Sequence, residues 1–129
     1  MRSSHSAVRD TGLAPIVYDH HIHPVIDLAA IVGFDWDNGN ARKNEKHGVS
    51  TPEAEQVCFN QPLLLLVDER HSQAEPRFHL LGRTHSGRRL HLTVTLRGGG
   101  TLIRVISARD MHRKERDIYE RQAEAGSDV

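Results

Sequence analysis

From Pro62 onward the chain carries the two-residue period of β-strands, and no other feature restricts its possible folds as much. Successive side chains of a strand point to opposite faces, so this period marks a sheet with one face in a core. Arg89–Arg97 shows it most cleanly: Leu90, Leu92, Val94 and Leu96 face one way, and Arg89, His91, Thr93, Thr95 and Arg97 the other. Leu63–Val67 is an unbroken apolar run between Pro62 and Asp68, short enough for a buried strand. Phe78–Thr84 and Arg89–Arg97 are separated by His85-Ser86-Gly87-Arg88, a spacer that favours a hairpin. Gly98-Gly99-Gly100 then turns the chain into Leu102–Ser107. About four strands in a small antiparallel sheet are expected.

Helical signals flank this region. Phe34-Asp35-Trp36-Asp37 reads as a strand end, and Asn40–His47 as a short polar helix that Gly48 ends in a left-handed conformation. Ser50 with Glu53 three residues on is a capping box, Pro52 suits a first turn, and Ala54, Val57 and Cys58 form an inner face. Asp110 is placed to cap a closing helix with Met111, Ile118 and Tyr119 on one side. Two helices, a run of strands and a helix make an α+β domain, and 129 residues suffice for one core.

Residues 1–32 mix Ser, His and Pro with short apolar pieces and hold neither period, so they read as an N-terminal extension with partly disordered composition. Removal of Met1–Leu28 is expected to leave folding nearly unchanged. The domain is placed at residues 33–122, with residues 123–129 as a tail. The lone Cys58 excludes an intramolecular disulfide and fits a reducing compartment. Pro24–Phe34 contains Asp27 and is too short to span a bilayer, so a cytoplasmic protein without membrane contact is expected.

The formal net charge is zero, yet Arg83–Arg116 carries nine basic residues against Asp110 and Glu115, a local +7. Local potential, not net charge, attracts a polyanion.

Phe34-x-Trp36-Asp37, Asn44-Glu45-Lys46-His47-Gly48-Val49-Ser50, Arg83 after Leu80-Leu81-Gly82, Thr95-Leu96-Arg97, and Ile103–Arg109 followed by Glu115-Arg116 and Tyr119 together resemble the BrnT toxin family, in order and spacing. The resemblance implies a compact RelE-like fold and an mRNA-directed endoribonuclease toxin of a type II toxin–antitoxin system. It further implies neutralisation by a BrnA-like antitoxin that itself binds promoter DNA.

Metal-free RNA cleavage uses the 2′-hydroxyl as nucleophile. A base removes its proton, cations stabilise the phosphoryl oxygens, and an acid protonates the leaving oxygen. No cofactor is expected. Arginine's planar fork matches two phosphate oxygens, which singles out Arg83, Arg97, Arg104 and Arg109. Arg104 interrupts an apolar strand and needs a partner, for which Glu115 or a helix C-terminus is the structural alternative. His47, ending the first helix, is a proton-transfer candidate, or only a cap. His71 in its charged loop and Glu69 are further candidates. Arg89, His91, Arg113, Lys114 and Arg116 are expected to bind RNA, although His91 also suits cross-strand packing. Tyr119 stacks on a base or belongs to the core, and Cys58 reads as core. His20, His21 and His23 beside Asp19 would suit a metal, but adjacent His20 and His21 converge poorly and no metal is expected. The alternatives to a ribonuclease are a non-catalytic RNA- or protein-binding module and, third, a metal-dependent enzyme.

Overall fold

The computed structural model of the chain describes residues 16–17, 26–68, 70 and 74–127. A mixed sheet forms its centre, in the order β1-β3-β4-β5-β6-β2. The strands are β1 (Ile16–Val17), β2 (Gly33–Phe34), β3 (Leu63–Val67), β4 (Phe78–Arg83), β5 (Arg89–Arg97) and β6 (Leu102–Asp110). The helices are α1 (Asn38–Lys46), α2 (Thr51–Phe59) and α3 (Arg113–Ser127). β3 to β6 pair antiparallel, as expected, but β1 runs parallel to β3 and β2 parallel to β6. The expected sheet of about four strands is thus a four-stranded antiparallel centre with a short parallel strand on each edge. Two-residue strands have no period to read, and only the backbone groups of their neighbours define them.

Local signals account for the helix starts. Asp37 caps α1 by accepting from Asn40 N at 3.1 Å, while Asn40 Oδ1 accepts from Asp37 N at 2.7 Å. The helix therefore begins at Asn38, two residues before the expected Asn40. Asn40 Nδ2 also donates to Val105 O at 3.0 Å, which ties α1 to β6. The Ser50–Glu53 capping box starts α2 as expected, and Gly48 takes φ +73° between the two helices. Asp110 does not cap α3. It ends β6 and pairs with Arg88, and Glu115 Oε1 accepts from His112 N at 2.8 Å at the helix start.

The larger core lies on one sheet face, where Val57 and Cys58 of α2 meet Leu65, Leu80, Leu92 and Val105. A β-carbon on Gly82 would sit 2.8 Å from Val57 Cγ1, so the absent side chain sets how closely α2 approaches β4. Ile26 and Leu28 are buried in this core, and Val32 N donates to Thr101 O at 2.8 Å. The packed unit therefore reaches back at least to Ile26, inside the segment expected to be an appended extension.

The opposite sheet face is not open to water throughout. α3 crosses it, burying Met111 and Tyr119 against Leu64 and Leu81, and Tyr119 Oη donates to Pro62 O at 2.7 Å. Tyr119 is a core residue and not a base-stacking one. His91, Thr93 and Thr95, expected on an open polar face, are buried. In β6 the register jumps from Thr93↔Ser107 to Val94↔Val105 and leaves Ile106 as an extra residue. This bulge turns both Val105 and Ala108 to the core although three positions separate them.

Candidate functional site

The part of this second face that α3 leaves uncovered carries a polar row across three strands. His79 pairs with Thr93 and Thr93 with Ser107, so their side chains line up on one face. Asp68 follows β3, and its N–H donates to Arg77 O at 2.8 Å, extending the β3–β4 ladder by one step. That step puts Asp68 Oδ2 3.0 Å from His79 Nε2, while His79 Nδ1 faces Thr93 Oγ1 at 3.2 Å. The carboxylate favours a proton on Nε2 and leaves Nδ1 as the acceptor. Lys43 of α1, Arg70 and Arg77 join Asp68, His79, Thr93 and Ser107 around a groove of about 540 Å³. An imidazole with a fixed tautomer beside three cations can take a proton and stabilise a phosphate.

A second groove of about 490 Å³ adjoins it between the sheet and α3, and His79 lines both. The His79 and His91 rings lie 5.0 Å apart, tilted by 34°. Burial, and then the neighbouring Arg109 charge, push His91 down to about 4, so this imidazole is neutral at physiological pH. Burial opposes ionisation of Glu115, but the Arg109 fork at 2.8 and 3.0 Å and the His112 N–H outweigh it and bring the carboxyl down to about 2. Burial pushes the Cys58 thiol up to about 12, which leaves no thiolate nucleophile in α2.

The family model described as the ribonuclease toxin BrnT of type II toxin–antitoxin systems matches residues 36–115. The chain belongs to the BrnT family. It is thus a ribonuclease toxin of the type II class, with RNA as its target and an antitoxin as its partner. No curated protein matches the chain. The matched span contains every residue of the first groove, together with Arg109 and Glu115, and stops before Ile118 and Gln122 of the second. No helix among the described residues is long and apolar enough to cross a membrane.

Within this BrnT chain the expected site residues are scattered. Arg104 faces Asp37 at 3.0 Å and Asp35 at 3.6 Å, and Arg97 pairs with Glu75 and lies 3.9 Å from Asp35. Both guanidinium groups are committed to carboxylates beside the β2 edge, which satisfies the charge that interrupts β6. Glu115, considered as a partner for Arg104, is held by Arg109 instead. Of the four arginines, only Arg109 lines either groove. Arg83 is exposed and directly opposite Arg89, which pairs with Glu120 at 2.7 Å. His47 is an exposed C-cap and lines neither groove. Arg113, Lys114 and Arg116 are exposed on the first turn of α3, where Arg116 donates to Met111 O at 3.0 Å. Glu69, His71 and the His20, His21 and His23 cluster lie outside the described residues.

Lys43, Asp68, Arg70, Arg77, His79, Thr93 and Ser107 are the residues that sequence reasoning passed over as a group. A usable signal for His79 was present. A hairpin that pairs Arg83 with Arg89 sets His79 opposite Thr93 by counting outward along both strands. For Lys43 no comparable local signal exists, because its place depends on how α1 packs against β6.

Proposed function

We propose that this BrnT toxin is an mRNA endoribonuclease of RelE-like architecture that cleaves by 2′-hydroxyl attack without a metal ion. The Asp68–His79 contact within a groove that also holds Lys43, Arg70 and Arg77 carries this reading. His79 Nδ1 takes the proton from the 2′-oxygen, exchanging its bond to the Thr93 hydroxyl for one to substrate. The 2′-oxygen then bonds to phosphorus as the bond to the 5′-oxygen breaks. The leaving oxygen takes a proton from the Lys43 ammonium, and Arg70 and Arg77 balance the charge on the phosphoryl oxygens. Asp68 holds the imidazole in its working tautomer and stabilises the imidazolium that forms. Arg97 and Arg104 act through the ion pairs that support the β2 edge. Arg83, Arg113, Lys114 and Arg116 supply an outer rim for the RNA backbone, beside Arg89, whose charge is taken up by Glu120. A BrnA-like antitoxin in the same cytoplasm masks these surfaces and links the pair to promoter DNA.

The test is cleavage by purified protein freed of antitoxin, in chelator and separately in magnesium. Expected products carry 2′,3′-cyclic phosphate ends in both conditions. Intact RNA in both would overturn catalysis and favour a binding module, whereas cleavage in magnesium alone would support a metal-dependent enzyme.

A further inference from the structure

The groove between α3 and the sheet differs in character from the one beside it. Its exposed surface is mainly apolar, supplied by Leu64, Leu66, Leu81 and Ile118, with His91 and Gln122 among its polar members. Leu66 and Ile118 remain 47% and 39% exposed, an unusual state for neighbouring large apolar side chains that could have packed together. His91 is nine-tenths buried, yet its Nδ1 has no hydrogen-bond partner. A buried polar atom without a partner is costly, and because His91 lines the groove, a small turn of its ring toward an occupant would let that occupant supply the missing bond. The one cation in the lining, Arg109, is already held in both arms by Glu115. The groove therefore suits a neutral group, not a phosphate.

The groove's volume of about 490 Å³ leaves room for a nucleobase together with its ribose, and the base is a neutral, flat, hydrogen-bonding group. Sequence-specific RNA recognition splays single-stranded bases onto aromatic or imidazole rings and reads their edges. The tilted His79–His91 pair offers such a surface, and its outer ring belongs to both grooves. We propose that the α3 groove is a nucleobase subsite, in which His91 and Gln122 read the base adjoining the phosphate held by the first groove. The proposal rests on the cleavage reading of that first groove.

Two measurements separate the subsite from the cleavage reading. In the first, antitoxin-free protein cleaves short RNAs that differ only in the bases flanking the scissile bond. The parent should favour one or two bases by about tenfold, a ratio that a few directed contacts can produce. His91→Phe and Gln122→Ala should bring that ratio below about threefold, while Lys43→Ala should slow all the RNAs alike. An unchanged ratio in both groove variants, or no preference in the parent, overturns the proposal.

In the second, the four nucleoside 3′-monophosphates are titrated into the full chain while the His91 ring resonances are followed by NMR. Base-dependent shifts that vanish in Leu66→Glu support the subsite even if no RNA is cleaved, in which case only the cleavage reading fails. If Leu66→Glu and Ile118→Glu abolish neutralisation by the antitoxin and no nucleotide moves His91, the groove is a protein docking surface and the proposal is wrong.

Discussion

His79 and His91 sit 5.0 Å apart on neighbouring strands, and burial gives them different work. His79 keeps one ring nitrogen on Asp68 and the other on a hydroxyl that substrate can replace. Replacing it with Gln preserves size and polarity but removes the base. His79→Gln should therefore lower single-turnover cleavage by about 10²–10⁴ while leaving RNA affinity and the melting temperature near those of the parent. A rate within about threefold of the parent would remove His79 from the mechanism. His91 instead links this face to acid stability. Its folded pKa of about 4 lies below the ordinary 6.5, so between these values the unfolded chain binds the extra proton. Stability contributed by keeping His91 neutral is present above 6.5 and is lost as pH falls toward 4. Glu115 continues the trend lower down: its folded pKa of about 2 lies below 4.5, and its contribution is lost as pH falls through that interval. Thermal melts between pH 7 and 3 should show the loss beginning near 6.5 in the parent and only near 4.5 in His91→Phe. Identical pH profiles for the two proteins would refute this assignment.

At the scale of elements, two junctions hold the scaffold that positions the site. Arg88 joins three segments by donating to Gly48 O at 2.8 Å, to Glu53 at 3.1 and 3.2 Å and to Asp110 at 2.8 and 3.1 Å. It thereby ties the α1–α2 junction to the end of β6; its guanidinium holds Asp110 below the usual carboxylate range, and the Ser50 N–H and then Arg88 do the same for Glu53. The second junction lies before β2, where Ile26 and Leu28 enter the core. Ile26→Ala should cost about 2–5 kcal/mol in urea denaturation, the range for emptying a core position, well above a typical surface change. A cost below about 0.5 kcal/mol would return this segment to the status of an appended tail. Its importance escaped the sequence because Ile26-Asp27-Leu28 is too short for either period to register. α3 escaped in part for a similar reason: its spacing indicated a helix with an apolar side, but not which sheet face it would cover.

For the whole molecule, the +7 of Arg83–Arg116 overstates the charge available to RNA. Arg88, Arg89, Arg97, Arg104 and Arg109 are each engaged with carboxylates. Arg83, Arg113 and Lys114 have no carboxylate partner among the described residues. Arg113→Ala and Lys114→Ala should each weaken RNA binding about equally for all sequences and reduce the slope of log affinity against log salt by roughly 0.7–1. Arg104→Ala should leave that slope near the parental value, because its cation is already neutralised at short range. A salt slope that falls as much for Arg104→Ala as for Lys114→Ala would show that the internal pairs open to receive RNA.

Short-range pattern alone was enough for the α+β class, the central hairpin, the Ser50–Glu53 cap, the turn at Gly48 and membership of the BrnT family. Each is written in short-range terms: a period of two, a capping pair three residues apart, a glycine at positive φ, or motifs in fixed order. Only the tertiary structure decided what each cation faces. Arg97 and Arg104 read like ligands for a phosphate because their strands give no hint that Glu75, Asp35 and Asp37 come to meet them. Lys43, Asp68 and His79 read as unrelated because they lie on a helix, a loop and a strand, and only the packing of α1 beside β6 and the β3–β4 register make them neighbours. Electrostatic and proton-transfer roles depend on distances of a few ångströms between remote segments, and such distances exist only once the core has closed.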